Sequence, residues 1–105
     1  MPPISSQFAS AVEYARTAHA AQVRKGTSIP YISHPLAVSS LVLEFGGSEE
    51  QAIAALLHDV LEDCGQFHER SIRAQFGDEV ADIVVACTDG TAETKGRALS
   101  PEEKY

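Results

Sequence analysis

The sequence predicts an all-α fold, and two observations carry that expectation. Apolar residues recur at three- and four-residue steps along most of the chain, the spacing of one helix face. Capping residues, prolines and glycines punctuate those stretches, while no strand-like alternation of useful length occurs.

From Phe8 to Val23, the positions Phe8, Ala11, Val12, Ala15 and Ala18 line one side of an amphipathic helix, which the stretch from Gly26 to Pro30 breaks. Pro35 suits a first helical residue, because its missing N–H is one that a helix start leaves unpaired anyway. Leu36 to Phe45 is apolar on nearly every side and is expected as a largely buried helix, closed by Gly46-Gly47. Ser48-Glu49-Glu50-Gln51 is a capping box, with Ser48 as N-cap and Gln51 reaching back. The helix it opens is expected to run to about Asp63. A shorter helix over Glu69 to Phe76 stops at Gly77, and Asp78 caps a last one whose core face is Val80, Ile83, Val84 and Cys87. Ser100-Pro101-Glu102-Glu103 carries every mark of a further helix start, yet the sequence ends two residues later. A nucleus without propagation is unstable, so the chain is expected to be a fragment of a longer domain.

Length and charge narrow the function. The 105 residues suit a single domain over 1–105, and 44% hydrophobic with 22% charged residues excludes wholesale disorder. No apolar run approaches the roughly 20 residues of a membrane span. Fifteen acidic against eight basic residues give a net charge of −7, which repels nucleic acid and anionic lipid surfaces alike. A small anion is different, because the adjacent pair Arg24-Lys25 beside Gly26 offers it local positive charge. Cys64 and Cys87 fit neither a disulfide framework nor a paired metal spacing, and the N-terminus lacks a secretory pattern. A reducing cytoplasm is the compartment these features lead one to expect.

Chemistry concentrates between Ala54 and Asp63. Ile53, Leu56, Leu57, Val60 and Leu61 form the apolar face there, and His58, Asp59, Glu62 and Asp63 crowd the last turn and a half. His58 and Glu62 are four apart, as are Asp59 and Asp63, so these side chains project into one quadrant. Three carboxylates beside one imidazole repel one another unless a proton or a cation sits among them. Imidazole with carboxylate oxygen suits Mn²⁺, Fe²⁺ or Zn²⁺ better than Ca²⁺. His34, just ahead of a helix and beside Pro35, is the second candidate ligand. His19, ending the first helix, is read as structural, and His68, in a polar loop, is given no role.

Three segments carry a family resemblance: Ala18-His19-Ala20-Ala21-Gln22-Val23-Arg24-Lys25-Gly26, Pro30-Tyr31-Ile32-Ser33-His34-Pro35, and Ala55-Leu56-Leu57-His58-Asp59-Val60-Leu61-Glu62-Asp63. In this order and spacing they closely resemble the hydrolase domain of the RelA/SpoT alarmone enzymes. The match is closest to the small stand-alone hydrolases of the metazoan SpoT homologue type. Phe76-Gly77-Asp78-Glu79-Val80-Ala81 and Thr88-Asp89 extend the likeness, which spans about Phe8 to Asp89.

The resemblance implies an all-helical HD-type fold that removes pyrophosphate from the 3′ position of guanosine tetra- or pentaphosphate, using Mn²⁺ or another divalent transition metal. It further implies that His34, His58 and Asp59 ligate the metal, and that Glu62 and Asp63 position or deprotonate the attacking water. Arg24, Lys25 and Tyr31 would bind the anionic nucleotide, with the arginine flat on the base and the lysine as a point charge on phosphate. One implied ligand is missing. The family's fourth is an aspartate in a motif reading roughly Asp-Lys-x-x-Asn, and none follows Asp89. That agrees with a chain cut short, expected to hold metal less tightly and to expose apolar helix faces, a route to homo-oligomers. Two alternatives stand beside this expectation: an HD phosphohydrolase for another nucleotide or phosphoester, and a non-catalytic remnant that binds a partner or oligomerises.

Overall fold

The computed structural model describes residues 4–88. They form α1 (Ser6–Ala18), α2 (Ser33–Glu44), α3 (Glu49–Leu57), α4 (Val60–Cys64), α5 (His68–Phe76) and α6 (Asp78–Ala86). Among these residues the only extended pairing is an isolated antiparallel bridge between Val23 and Pro30. The all-α expectation holds for the described residues. The helix start at Ser100 lies outside them.

The core is built on α3. Every residue from Ala52 to Leu57 is buried, as befits a helix apolar on all sides. Around it pack α1, α2 and α6, while α5 packs on α6 and α4. Ala11 and Ala15, one turn apart on α1, are fully buried, with Phe8, Val12 and Ala18 against the same core. Small side chains there let α1 and α3 approach closely. Ser39 of α2 is also buried and donates its hydroxyl to the Ala52 carbonyl at 2.8 Å, which ties α2 to α3.

The ends of α2 and α3 follow local rules. Ser48 Oγ accepts the Gln51 N–H at 3.1 Å while Gln51 Oε1 accepts the Ser48 N–H at 2.9 Å, the reciprocal bonds of a capping box. After α2, Gly46 takes φ +86°; its N–H reaches Leu43 O and the Gly47 N–H reaches Val42 O, closing a Schellman motif. A Cβ on Gly47 would lie 2.5 Å from Val42 Cγ1, so space rather than φ demands the second glycine.

Elsewhere packing overrides the expected boundaries. The first helix stops at Ala18 rather than Val23. Ala20-Ala21-Gln22 would continue it on propensity alone, but the His19 ring packs 4.9 Å from that of Tyr31 and Val23 pairs with Pro30, which turns the chain. The second helix starts at Ser33, so Pro35 is its third residue and His34 lies inside it, still in the turn whose N–H groups lack helical partners. Nor is α2 largely buried. Only Pro35 and Ser39 are, and Leu36 and Leu41 stay exposed because α3 covers one face.

The helix opened by Ser48 breaks at His58-Asp59 instead of running to Asp63. His68 is the first residue of α5, not part of a loop. Gly77, at φ +94°, caps α6, whose first residue Asp78 turns its carboxylate to Arg73 at 2.9 Å. Cys87 is the exposed C-cap beyond that helix, so its buried face is Val80, Ala81 and Val84, with Ile83 at the margin.

Candidate active site

The break between α3 and α4 builds the site. His58 leaves α3 at φ −60°, ψ −29°, and Asp59 follows at φ −96°, ψ −1°. In an unbroken helix the Ala55 carbonyl would take the Asp59 N–H; here it accepts the His58 Nδ1–H at 2.6 Å. That bond orients the ring and leaves Nε2 to share a proton with Asp59 or to hold a metal. Asp59 Oδ2 lies 3.0 Å from His58 Nε2 and 3.5 Å from His34 Nε2. One donor atom from each of His34, His58 and Asp59 falls within 4.8 Å of the others. Two imidazoles and a carboxylate fit a divalent transition ion.

Tyr31 completes the cluster from outside. Its hydroxyl donates to Asp59 Oδ2 at 2.5 Å and so holds the carboxylate toward the two histidines. Burial and the negative charges of Asp59 and Asp63 push the Tyr31 pKa far above that of a free phenol, so it stays a donor. Burial alone would lower the His58 pKa, but the Asp59 carboxylate, the Ala55 carbonyl and the Asp63 charge outweigh it and raise the pKa above its ordinary 6.5. Burial pulls Asp59 the other way, upward, yet its bonds to His58 and Tyr31 and the charges of the two histidines hold it below 3.8.

A tight hairpin joins α1 to α2. The Arg24 N–H reaches Ile29 O and the Tyr31 N–H reaches Gln22 O, both at 2.9 Å, and Gly26 supplies the turn at φ +75°. Arg24 and Lys25 sit on this hairpin, exposed and without an ion pair among the described residues. On α4, Glu62 and Asp63 are half-buried. Asp63 Oδ2 accepts from Gln22 Nε2 at 3.2 Å, and the Asp63 charge is felt by both Tyr31 and His58.

Thus His34, His58, Asp59, Tyr31 and Asp63 meet, Glu62 shares the short helix with Asp63, and Arg24 and Lys25 stay outside the cluster on the hairpin. Sequence reasoning missed Gln22 and gave His19 only a structural part. Gln22 holds Asp63, and His19 Nδ1 lies 2.8 Å from Gln22 Oε1. Their contact forms beyond the end of α1, where no periodic pattern signals it. The fourth ligand that the resemblance implies has no counterpart in the sequence after Asp89.

Known proteins resemble this chain in sequence and in fold. The HD-domain family model matches residues 11–104. A guanosine-3′,5′-bis(diphosphate) 3′-pyrophosphohydrolase of Aquifex aeolicus is 42% identical over 87 residues, which is 83% of this chain and 12% of that protein. A probable GTP pyrophosphokinase of Mycobacterium leprae is 44% identical over 78 residues, 74% of this chain and 10% of that protein. The chain therefore spans about a tenth of the length of these curated relatives. A solved structure described as a metazoan ortholog of SpoT that hydrolyzes ppGpp and plays a role in starvation responses is 30% identical. Its TM-score is 0.78, with 99% of this chain and 56% of that one covered. With a family match of that extent laid over a His-Asp break that converges on a second histidine, the chain belongs to the HD-domain family.

Proposed function

We propose that this chain carries the hydrolase centre that removes pyrophosphate from the 3′ position of guanosine tetra- and pentaphosphate, with residues 1–105 as the N-terminal part of a single HD-type domain. The observation that carries the proposal is the approach of His34, His58 and Asp59 to within 4.8 Å, with Glu62 and Asp63 following on α4. The names of the Aquifex protein and of the solved structure supply the substrate class.

Mn²⁺, or a similar ion held by His34, His58 and Asp59, supplies Lewis acidity toward water and phosphoryl oxygen. Glu62 and Asp63 position the attacking water and take its proton, a task for carboxylates within hydrogen-bond reach. Arg24 lies flat on the base and Lys25 gives phosphate a point charge, which their exposure on the hairpin allows. Tyr31 borders the nucleotide and keeps Asp59 aimed. Water adds to the phosphorus attached to the ribose 3′ oxygen and the bond between them breaks; the 3′ oxygen leaves and takes a proton, so the tetraphosphate becomes pyrophosphate and guanosine diphosphate. No described helix is long and apolar enough to cross a membrane. We place the reaction in the cytoplasm, and we place self-association on the exposed apolar residues of α2, Leu36 and Leu41, with Phe45 just beyond it.

Calorimetric titration of the metal-stripped chain with Mn²⁺ tests the centre: binding of about one ion per chain is expected, and none in His58→Ala. The loaded chain is then expected to release pyrophosphate from guanosine tetraphosphate. Faster turnover of a different phosphoester in a nucleotide panel would reassign the substrate, and absence of Mn²⁺ binding would sink the centre.

A further inference from the structure

His19 is 3% exposed and closes α1 as its C-cap. Its Nδ1 lies 2.8 Å from Gln22 Oε1, and Gln22 Nε2 lies 3.2 Å from Asp63 Oδ2. Chemistry sets the direction of this series. An ionised carboxylate only accepts, so the Gln22 amide turns its NH₂ to Asp63 and its oxygen to His19. That oxygen also only accepts, so His19 Nδ1 carries a proton.

The neighbouring thiol agrees with that assignment. Cys64 donates its S–H to the Ala18 carbonyl at 3.3 Å and so presents a sulfur lone pair to His19 Nδ1 at 3.5 Å. His19 Nε2, by contrast, is buried without a hydrogen-bond partner. An apolar side chain would fill that space without orphaning a polar atom, so filling the core does not account for a histidine here. What the histidine adds is a donor at Nδ1, which holds the Gln22 amide in the orientation that the Asp63 carboxylate requires.

We propose that His19 and Gln22 are positioning residues: a relay from His19 Nδ1–H through the Gln22 amide aims the Asp63 carboxylate. The proposal rests on Asp63 acting on the attacking water. The relay joins the end of α1, the hairpin and α4, elements that no shared helix face connects. The His19 ring also packs against Tyr31, whose hydroxyl holds Asp59. One histidine thereby braces both carboxylate-bearing ends of the site.

Long-range proton–nitrogen NMR of the histidine rings in the metal-free chain reads the first half of the relay. His19 is expected with its proton on Nδ1, and its ring nitrogens are expected to shift in Gln22→Leu. Gln22→Glu keeps an acceptor for His19 but offers Asp63 no donor, so it is expected to retain the Nδ1 proton. Turnover of guanosine tetraphosphate by the Mn²⁺-loaded chain reads the second half. Both Gln22 variants are expected to lower kcat about tenfold while leaving KM and Mn²⁺ affinity unchanged. In an Asp63→Ala background they are expected to cause no further loss, a non-additivity that a purely structural role would not produce. A His19 proton on Nε2 alone, or losses that multiply with Asp63→Ala, would overturn the relay. Turnover lost in Asp63→Ala yet intact in Gln22→Glu would overturn the relay while sparing the proposed function. Wild-type turnover by Asp63→Ala would overturn the role given to Asp63 and the relay's purpose with it.

Discussion

At Asp59 a single carboxylate oxygen faces His58, His34 and the Tyr31 hydroxyl. The hydroxyl is the one partner that cannot ligate through a ring nitrogen, and its part is to keep the oxygen aimed. Tyr31→Phe is therefore expected to weaken Mn²⁺ binding by about tenfold in calorimetry while leaving the helical circular dichroism unchanged. Unchanged affinity would mean that Asp59 needs no outside brace. The charges in the cluster also make the chain pH-sensitive. His58 has a folded pKa above its ordinary 6.5, so its contribution to stability is full below pH 6.5 and is lost as pH rises through the folded value. Asp59, held below 3.8, contributes above that pH and loses its contribution as pH falls through its folded value. Metal binding runs opposite to the His58 effect, because the ligand must shed its proton. From pH 6 to pH 8 the His58 contribution to urea resistance is expected to fall in the metal-free chain while Mn²⁺ affinity rises; His68, whose pKa burial lowers, pulls stability the other way. His58→Ala is expected to make stability rise more, or fall less, over this range than in the wild type, and an unchanged pH dependence would remove His58 as a source.

Helix ends carry much of the order between these residues. Glu49, in the first turn of α3, accepts from both the N–H and the hydroxyl of Ser5 at 2.7 and 2.8 Å, and Ser5 is in turn the N-cap of α1. The start of α3 is thus pinned twice, by its own capping box and by the cap of its neighbour. Ser48→Ala removes one of these supports and is expected to cost about 1 kcal/mol in urea unfolding. Since α3 delivers His58 at its other end, the same substitution tests how rigidly the helix transmits position. Mn²⁺ affinity close to wild type is expected, because the break after Leu57 is held by the local His58–Ala55 bond rather than by the distant cap.

The whole molecule hangs on the burial of α3. Leu56 and Leu57 are fully buried immediately before His58, and α1, α2 and α6 all pack around their helix. Leu56→Ala leaves a cavity at that centre and is expected to destabilise the fold by about 2–5 kcal/mol in urea titration. A loss of less than about 1 kcal/mol would show that the neighbouring helices collapse into the space. Because α2 carries His34 and α3 carries His58, loosening their packing is also expected to lower Mn²⁺ affinity, which calorimetry on the same variant would read.

Much of this plan was legible in local sequence. The capping box at Ser48, the glycine stop at Gly46-Gly47 and the apolar stripe of α1 each depend on residues three or four apart, whose contacts a helix makes automatically. The resemblance singled out His34, His58 and Asp59, and the fold brings their donor atoms together. Tertiary contacts decided the rest. The early end of α1, the break at His58-Asp59, the Tyr31–Asp59 bond across 28 positions and the Gln22–Asp63 bond across 41 arise where packed helices meet. Periodicity describes which face of a helix is buried; it holds no information about which polar groups another segment brings opposite that helix's end. The arrangement of the site therefore belongs to the packing of α1 and α2 on α3 and of α4 on α1, while the helices themselves belong to the local pattern.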